Sequence, residues 1–335
     1  MPKTAALCLS KISDWHNVTW AMHKALKGKR SQSRLSSAQS HPEVIIEQVT
    51  SALAQGQMPC GTFTQFVIHD PKRRIIHCTP FADRVAHHAL VRFMEPTFER
   101  VLLPQVYACR EGKGIHRAVH YAQQQACRYP WVMHVDIAQY FPNIRHDILW
   151  QQLRRRFRGD GMYLVQAVID SYANIAARGL PIGSLTSQHF ANHYLNEADR
   201  WLLAQANVRA MCRYMDDYLI WADSKQALVT LQYVLSSFLQ AVLGLTAKPA
   251  LIQASTHGVL FCGIRIKPLS LKPSLRRKRR YKQALWEWHA RWLNGDISSL
   301  KLQQSYASIR TVLLPADDAH WRSACHHHLK LSEYV

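Results

Sequence analysis

RAMCRYMDDYLIWAD, residues 209–223, places two adjacent carboxylates inside an apolar stretch. Met211 and Cys212 precede Asp216-Asp217, and Tyr218, Leu219, Ile220 and Trp221 follow it, so the segment reads as two short strands with the acidic pair at a hairpin turn. By itself an Asp-Asp pair in a turn is a solvated turn. It gains chemical meaning if another carboxylate joins it. WVMHVDIAQYFPNI (131–144) supplies the candidate: a nearly continuous apolar strand that ends at Asp136 and turns at Pro142-Asn143. An unpaired carboxylate is rarely sited in such a strand, because desolvating a charge is costly. Asp136 and Asp216 lie about 80 residues apart. Brought together, the three carboxylates would repel one another and require a cation. Oxygen donors at a partly open site suit Mg²⁺, and two such ions about 3.5–4 Å apart activate an attacking hydroxyl and stabilise a leaving oxygen.

The surrounding chain is long and basic. Its 335 residues suffice for a large core and two or three packed subdomains. A net charge of +20 implies a polyanionic partner, nucleic acid or an anionic membrane surface. No apolar run is expected to reach the length of about 18 residues needed to span a bilayer, and the N-terminal apolar stretch is interrupted by Lys11 and Asp14, so a soluble intracellular protein is expected. The eight cysteines are scattered without a C-x-x-C pair, which predicts reduced, mostly buried thiols. His87-His88 and His326–His328 lack a third ligand at zinc-site spacing and read as surface or nucleic-acid contacts.

Residues 1–55 read as helical and basic, with KALKGKRSQSRLSS (24–37) a cationic arm or loop. FTQFVIHDPKRRIIHC (63–78) reads as a hairpin about Asp70-Pro71, with Lys72, Arg73 and Arg74 near its turn. Helical patterns cover 80–100, 146–158 with a basic end, and 225–245. Gly112 and Gly114 punctuate a loop before a helix, a weak phosphate-cradling signal. Residues 179–203 form a Gly/Pro loop and one long helix, 258–266 a strand, and 272–293 a cationic segment that becomes helical. Trp286, Trp288 and Trp292 are read as helix-packing residues.

Arg213-Tyr214-Met215-Asp216-Asp217 resembles the Y-x-D-D signature of reverse transcriptases. VDIAQYFPNIRHDIL (135–149) resembles that family's first metal-binding motif. GLPIGSLTSQHFANHYLN (179–196) resembles its template- and nucleotide-contacting loop and helix, FCGIRI (261–266) its primer-gripping strand, and DPKRRII (70–76) its fingers hairpin. Five motifs in order cover roughly residues 65–270. Where most of the family has Pro-Gln-Gly, this chain has Pro181-Ile182-Gly183. That variant, together with TPFADRVAHHAL, LLPQVYACREGKGIH and LKPSLRRKRR, is similar to the reverse transcriptases of diversity-generating retroelements.

The resemblance implies an α+β right-hand polymerase fold with fingers, a ferredoxin-like palm and a helical thumb. Its boundaries would be an N-terminal helical, basic extension at 1–62, fingers and palm at 63–270 and thumb at 271–335. It implies two Mg²⁺ ions, with Mn²⁺ able to substitute, on Asp136, Asp216 and Asp217 and the backbone of Ile137. Lys72, Arg74, Phe141 as steric gate, Ile182, Gly183, Gln188 and, on a looser alignment, Lys248 would contact the nucleotide. Guanidinium and ammonium groups suit phosphate. Tyr214, Met215, Phe261, Gly263 and Arg276, Arg277, Lys278, Arg279 and Arg280 would meet primer and template, the basic run through sequence-independent phosphate contacts. Template RNA, the RNA/DNA hybrid, dNTPs and a small basic oligomeric accessory protein are the implied partners, with no membrane, in a bacterial cytoplasm, the gene being bacterial or phage-borne. An aliphatic Ile182 in place of Gln implies error-prone copying at template adenines. The competing readings are an antiviral-defence reverse transcriptase and, from another class, a non-catalytic RNA-binding scaffold.

Overall fold

The computed structural model describes residues 4–27, 41–59, 61–69, 73–172 and 177–328, and mixes helix with strand. The chain divides into two compact units whose segments alternate along the sequence. Met1–Pro104, Ile137–Trp201 and Ser236–Ala247 form the first; Gln105–Asp136, Leu202–Leu235 and Lys248–Val335 form the second.

In the first unit, helix Trp15–Leu26 packs on Pro42–Ala54 and Phe81–Val101. Asp14 caps it by accepting from the backbone N–H groups of His16 and Asn17, satisfying donors a helix start leaves orphaned. Strand β1 (Ala5–Ala6) runs parallel to β5 (Phe157–Arg158), and β2 (Thr64–His69) pairs with β3 (Arg73–Cys78) as an antiparallel hairpin. Two sequence expectations change here. The helix expected over 146–158 ends at Arg154, because Phe157 and Arg158 are drawn into β5. The single helix expected at the end of 179–203 is two, Leu185–Tyr194 and Asn196–Leu203, separated at Leu195. The first of these is buried on nearly every side, which its mixed sequence does not advertise.

The second unit is built on an antiparallel sheet in the order β6-β7-β4-β8, where β4 is Trp131–Asp136, β6 Ala210–Tyr214, β7 Asp217–Ala222 and β8 Leu251–Ala254. Every residue from Tyr218 to Ala222 is buried, the pattern of a strand covered on both faces. Val132, Cys212, Leu219 and Trp221 share one core with Ala118, Val119 and Ala122 of helix Ile115–Arg128. A three-stranded sheet, β9 (Val259–Phe261), β10 (Ile264–Lys267) and β11 (Ser270–Pro273), joins that core through Phe261, Ile264 and Ile266. The strand expected over 258–266 is therefore a hairpin. Phe261 and Ile264 pair across a two-residue turn, in which Cys262 has φ 49° and Gly263 φ 75°. Positive φ at both central residues matches the twist of the flanking strands.

Helices Leu275–Leu293, Ser299–Arg310 and Ala319–His328 follow. Tyr281, Leu285, Ile309, Leu313 and Cys325 form their core, with Trp288 against it. The basic run lies inside the first of these helices, not ahead of it; Ser274 accepts from the Arg277 backbone N–H as its cap. Trp292 donates to Ser299 and stacks on His289, but Trp286 is exposed, so only two of the three tryptophans pack as expected.

Three further expectations are corrected. Helix Lys225–Leu243 is long and apolar enough by length and composition to cross a membrane. Its Leu228, Leu231, Leu235, Leu239 and Leu243 form a buried seam, as a core-facing helix requires. Among the described cysteines only Cys212 and Cys325 are buried, while Cys109 and Cys127 are exposed. His87 is interior and lies within hydrogen-bond distance of the Ser184 hydroxyl.

Candidate active site

The β4–β7 ladder sets Asp136 directly opposite Asp217. Directly opposed residues share a face of the sheet, so the two carboxylates are neighbours by register. Asp217 opens β7, and Asp216 sits in the two-residue turn Met215-Asp216 that closes the β6–β7 hairpin. Met215 takes φ 58°, a left-handed conformation that costs a side-chain-bearing residue on the order of 1 kcal/mol. The buried Arg213 steadies this turn. Its Nη1 donates to the Met215 carbonyl at 2.8 Å, and its guanidinium lies 5.7 Å from the Tyr218 ring centroid.

Two of the carboxylates have cationic partners from distant sequence. The Lys248 ammonium pairs with Asp136, and the Lys248 backbone N–H donates to the Asp136 carbonyl at 2.8 Å. His134 Nε2 donates to Asp217 Oδ1 at 2.5 Å. Burial alone would lower the His134 pKa, but that bond and the charges of Asp217 and Asp136 outweigh it and raise it. Burial, aided by Asp136, pushes Asp217 up in spite of His134. Asp216 is the least compensated. Burial first, then the charge of Asp136, raises its carboxyl to about 6, while its own backbone amide and the more distant Lys248 only partly oppose this.

Among the described residues, no three His, Cys, Asp or Glu side chains converge as they stand to enclose a metal ion. The donor chemistry nevertheless fits a hard divalent cation: all three acids offer oxygen, burial and the charge of Asp136 raise the Asp216 carboxyl, and the Lys248 ammonium already supplies a cation to Asp136.

The remaining predicted residues fall into separate groups. Tyr214 is half-buried beside the turn, and burial raises its phenol pKa. Phe261 and Gly263 flank or form the β9–β10 turn. Arg276 and Arg280 line a cleft with Cys262, Ser274 and Thr311; Arg279 is exposed, and Lys278 stacks over Trp321. Arg277 lines the same cleft and is also bonded within the protein. Its guanidinium donates to the carbonyls of Cys262, Val312 and Leu314, each at 2.8 Å, and burial lowers its pKa. It is a structural clamp, and a Cβ on Gly263 would come within 2.6 Å of its Nε.

In the first unit, Gly183 and Gln188 line a cleft with Phe66, Ile76, Arg84 and His88. The Ile182 carbonyl accepts from the His77 backbone N–H at 2.9 Å, which ties this loop to β3. Phe141 packs edge-on against Tyr140, Ile137 is buried opposite Ala247, and Arg74 is exposed on β3. Lys72 and the Asp70-Pro71 turn lie outside the described residues, as does most of the 24–37 arm.

Sequence reading missed His134, Arg213 and the clamp made by Arg277. His134 carried a usable signal: two residues before Asp136 on one strand, it must share that carboxylate's face.

Residues 69–266 match the family described as reverse transcriptase (RNA-dependent DNA polymerase). The match covers more than half of the chain, and the protein belongs to that family, whose class is RNA-directed DNA polymerase, a nucleotidyltransferase. It is also similar to Protein YkfC of Escherichia coli (strain K12), 26% identical over 144 residues that span 39% of this chain and 38% of that protein.

Proposed function

We propose that the protein synthesises DNA on an RNA template by metal-dependent transfer of a nucleotidyl group from a dNTP to a primer 3′-hydroxyl. The observation that supports this most is the opposed pair Asp136 and Asp217 with the undercompensated Asp216 beside it, in a chain of the reverse transcriptase family. Asp136, Asp216 and Asp217 would hold the ions, which when bound lower the pKa of the attacking hydroxyl and neutralise charge on the leaving phosphate. The chain's own residues prepare for that load. His134 orients Asp217, Arg213 fixes the turn, and Lys248 balances Asp136 and is free to turn to a phosphate oxygen once Asp136 has another cation.

The β6-β7-β4-β8 order is consistent with a ferredoxin-like palm, so we read 63–270 as fingers and palm of a right-hand fold, 271–335 as thumb and 1–62 as an N-terminal extension. Pro181-Ile182-Gly183 leads us to place the enzyme in the diversity-generating retroelement subfamily. It would act in a bacterial cytoplasm on element RNA, with an oligomeric accessory protein, and miscopy template adenines. Primer extension with Mg²⁺ on a primed RNA, followed by product sequencing, tests both levels. Extension lost in Asp216→Ala supports the polymerase; errors concentrated opposite adenines and reduced by Ile182→Gln support the subfamily. Uniformly low error would point to a defence or other lineage. No extension in the wild type, with element RNA and accessory protein present, would overturn the enzyme in favour of an RNA-binding scaffold.

A further inference from the structure

A second basic site lies in the first unit, which does not contain the three carboxylates. Trp150 and Arg154 from helix His146–Arg154, Arg158 from β5, and Met162, Tyr163 and Gln166 from helix Met162–Asp170 line one cleft. Tyr163 is 71% exposed, far more than a ring serving only to pack. Arg154 and Arg158 are exposed, and neither guanidinium has a hydrogen-bond or ion-pair partner among the described residues. Their neighbours behave differently: Arg155 pairs with Glu197 at 2.8 Å, and burial lowers the pKa of Arg156.

The walls of this cleft are fixed. The Leu7 backbone N–H donates to the Arg158 carbonyl at 2.8 Å, and Gly159, at φ 101°, lies so close to Leu7 that a Cβ would meet its carbonyl oxygen at 2.3 Å. The acid in the lining, Asp160, is turned to the Leu9 backbone N–H at 2.9 Å. Two unpaired guanidinium groups beside two aromatic rings, in a chain of net charge +20, form the chemistry that tracks a phosphate backbone while stacking unpaired bases. An acidic protein surface would use the charges but would not need an exposed ring in the same cleft.

We infer that this cleft binds single-stranded nucleic acid, independently of the carboxylate site. The test uses the full chain and a labelled oligouridylate of about a dozen nucleotides, followed by fluorescence anisotropy across a salt series. Saturating preannealed primer–template is present throughout, without dNTPs, so that the polymerase site is occupied. The oligonucleotide should still bind. Arg154→Ala with Arg158→Ala should reduce the slope of log affinity against log salt by roughly 1.4, two phosphates at about 0.7 each. Tyr163→Ala should weaken binding about fivefold or more, and Tyr163→Phe, which keeps the ring, should restore it. Tighter binding of oligouridylate than of oligothymidylate would identify RNA as the source, and the reverse a DNA strand. Complete displacement by primer–template, wild-type binding by both variants, or no binding by the wild type would overturn the inference. Primer extension by the same variants, expected at wild-type rate, reports on the polymerase separately.

Discussion

The second unit contains two hairpin turns of the same length that solve opposite problems. Met215-Asp216 and Cys262-Gly263 each join paired strands through two residues, and each uses a left-handed residue that is not glycine. At Cys262-Gly263 the cation and its acceptors are both present, Arg277 reaching three backbone carbonyls from two segments. At Met215-Asp216 the acceptors exceed the cations: three carboxylates meet one lysine and one histidine. The first turn is electrostatically complete within the chain. The second is not, and that shortfall is what we read as the mark of a site.

That contrast can be broken at either end. Asp216→Ala should lower dNTP incorporation at least about 10³-fold, as expected when charge that acts on the transition state is removed, while leaving the fold intact by circular dichroism. Activity surviving near the wild-type level would make Asp216 another structural residue. Arg277→Ala should do the reverse, orphaning three carbonyls and costing about 2–4 kcal/mol in urea unfolding. Arg277→Lys should recover little, since one ammonium cannot span the guanidinium's acceptors.

The third prediction is a pH dependence. Asp216 has a folded-state pKa of about 6, above the ordinary 3.8. A carboxyl raised in this way binds its proton more readily when folded, so it imposes no cost below about pH 4 and its full cost above about pH 6. The metal-free protein should therefore lose on the order of 3 kcal/mol as pH rises through that window. Asp216→Asn should abolish this loss, and Mg²⁺ should reduce it in the wild type. Thermal melts from pH 4 to 8 would show it, and parallel curves for wild type and Asp216→Asn would count against the undercompensated carboxyl. The smallest effect concerns the backbone. Met215→Gly should stabilise by about 1 kcal/mol at most, because glycine accepts the left-handed conformation. Gly263→Ala should destabilise, because its Cβ would strike Arg277.

Much of this architecture was legible in the sequence where the signal was local. Nearly continuous apolar runs marked β4 and β7, β-branched and aromatic residues on either side of Asp70-Pro71 marked the β2–β3 hairpin, and a 3.6-residue period marked helix Phe81–Val101. The β9–β10 turn was hidden because Cys262-Gly263 interrupts GVLFCGIRI without a polar residue. The pairing of charges was illegible for a different reason. His134 meets Asp217 across 83 residues and Lys248 meets Asp136 across 112, and such partnerships are decided by strand register and chain return, not by any local pattern. Lys248 was placed near the nucleotide on a loose alignment, and its ion pair with Asp136 sets it beside a carboxylate of the candidate site.

The β4–β7 ladder has a consequence for how this gene can vary. Six successive rungs run from Trp131 opposite Ala222 to Asp136 opposite Asp217, and successive side chains alternate between the two faces. One codon inserted or deleted within either strand would send one carboxylate to the far side of the sheet and carry the buried residues around it into the wrong layer. Substitutions can accumulate along these strands so long as they remain apolar, but their spacing is a measuring stick for the two acids. Here the chain can drift in composition and not in length.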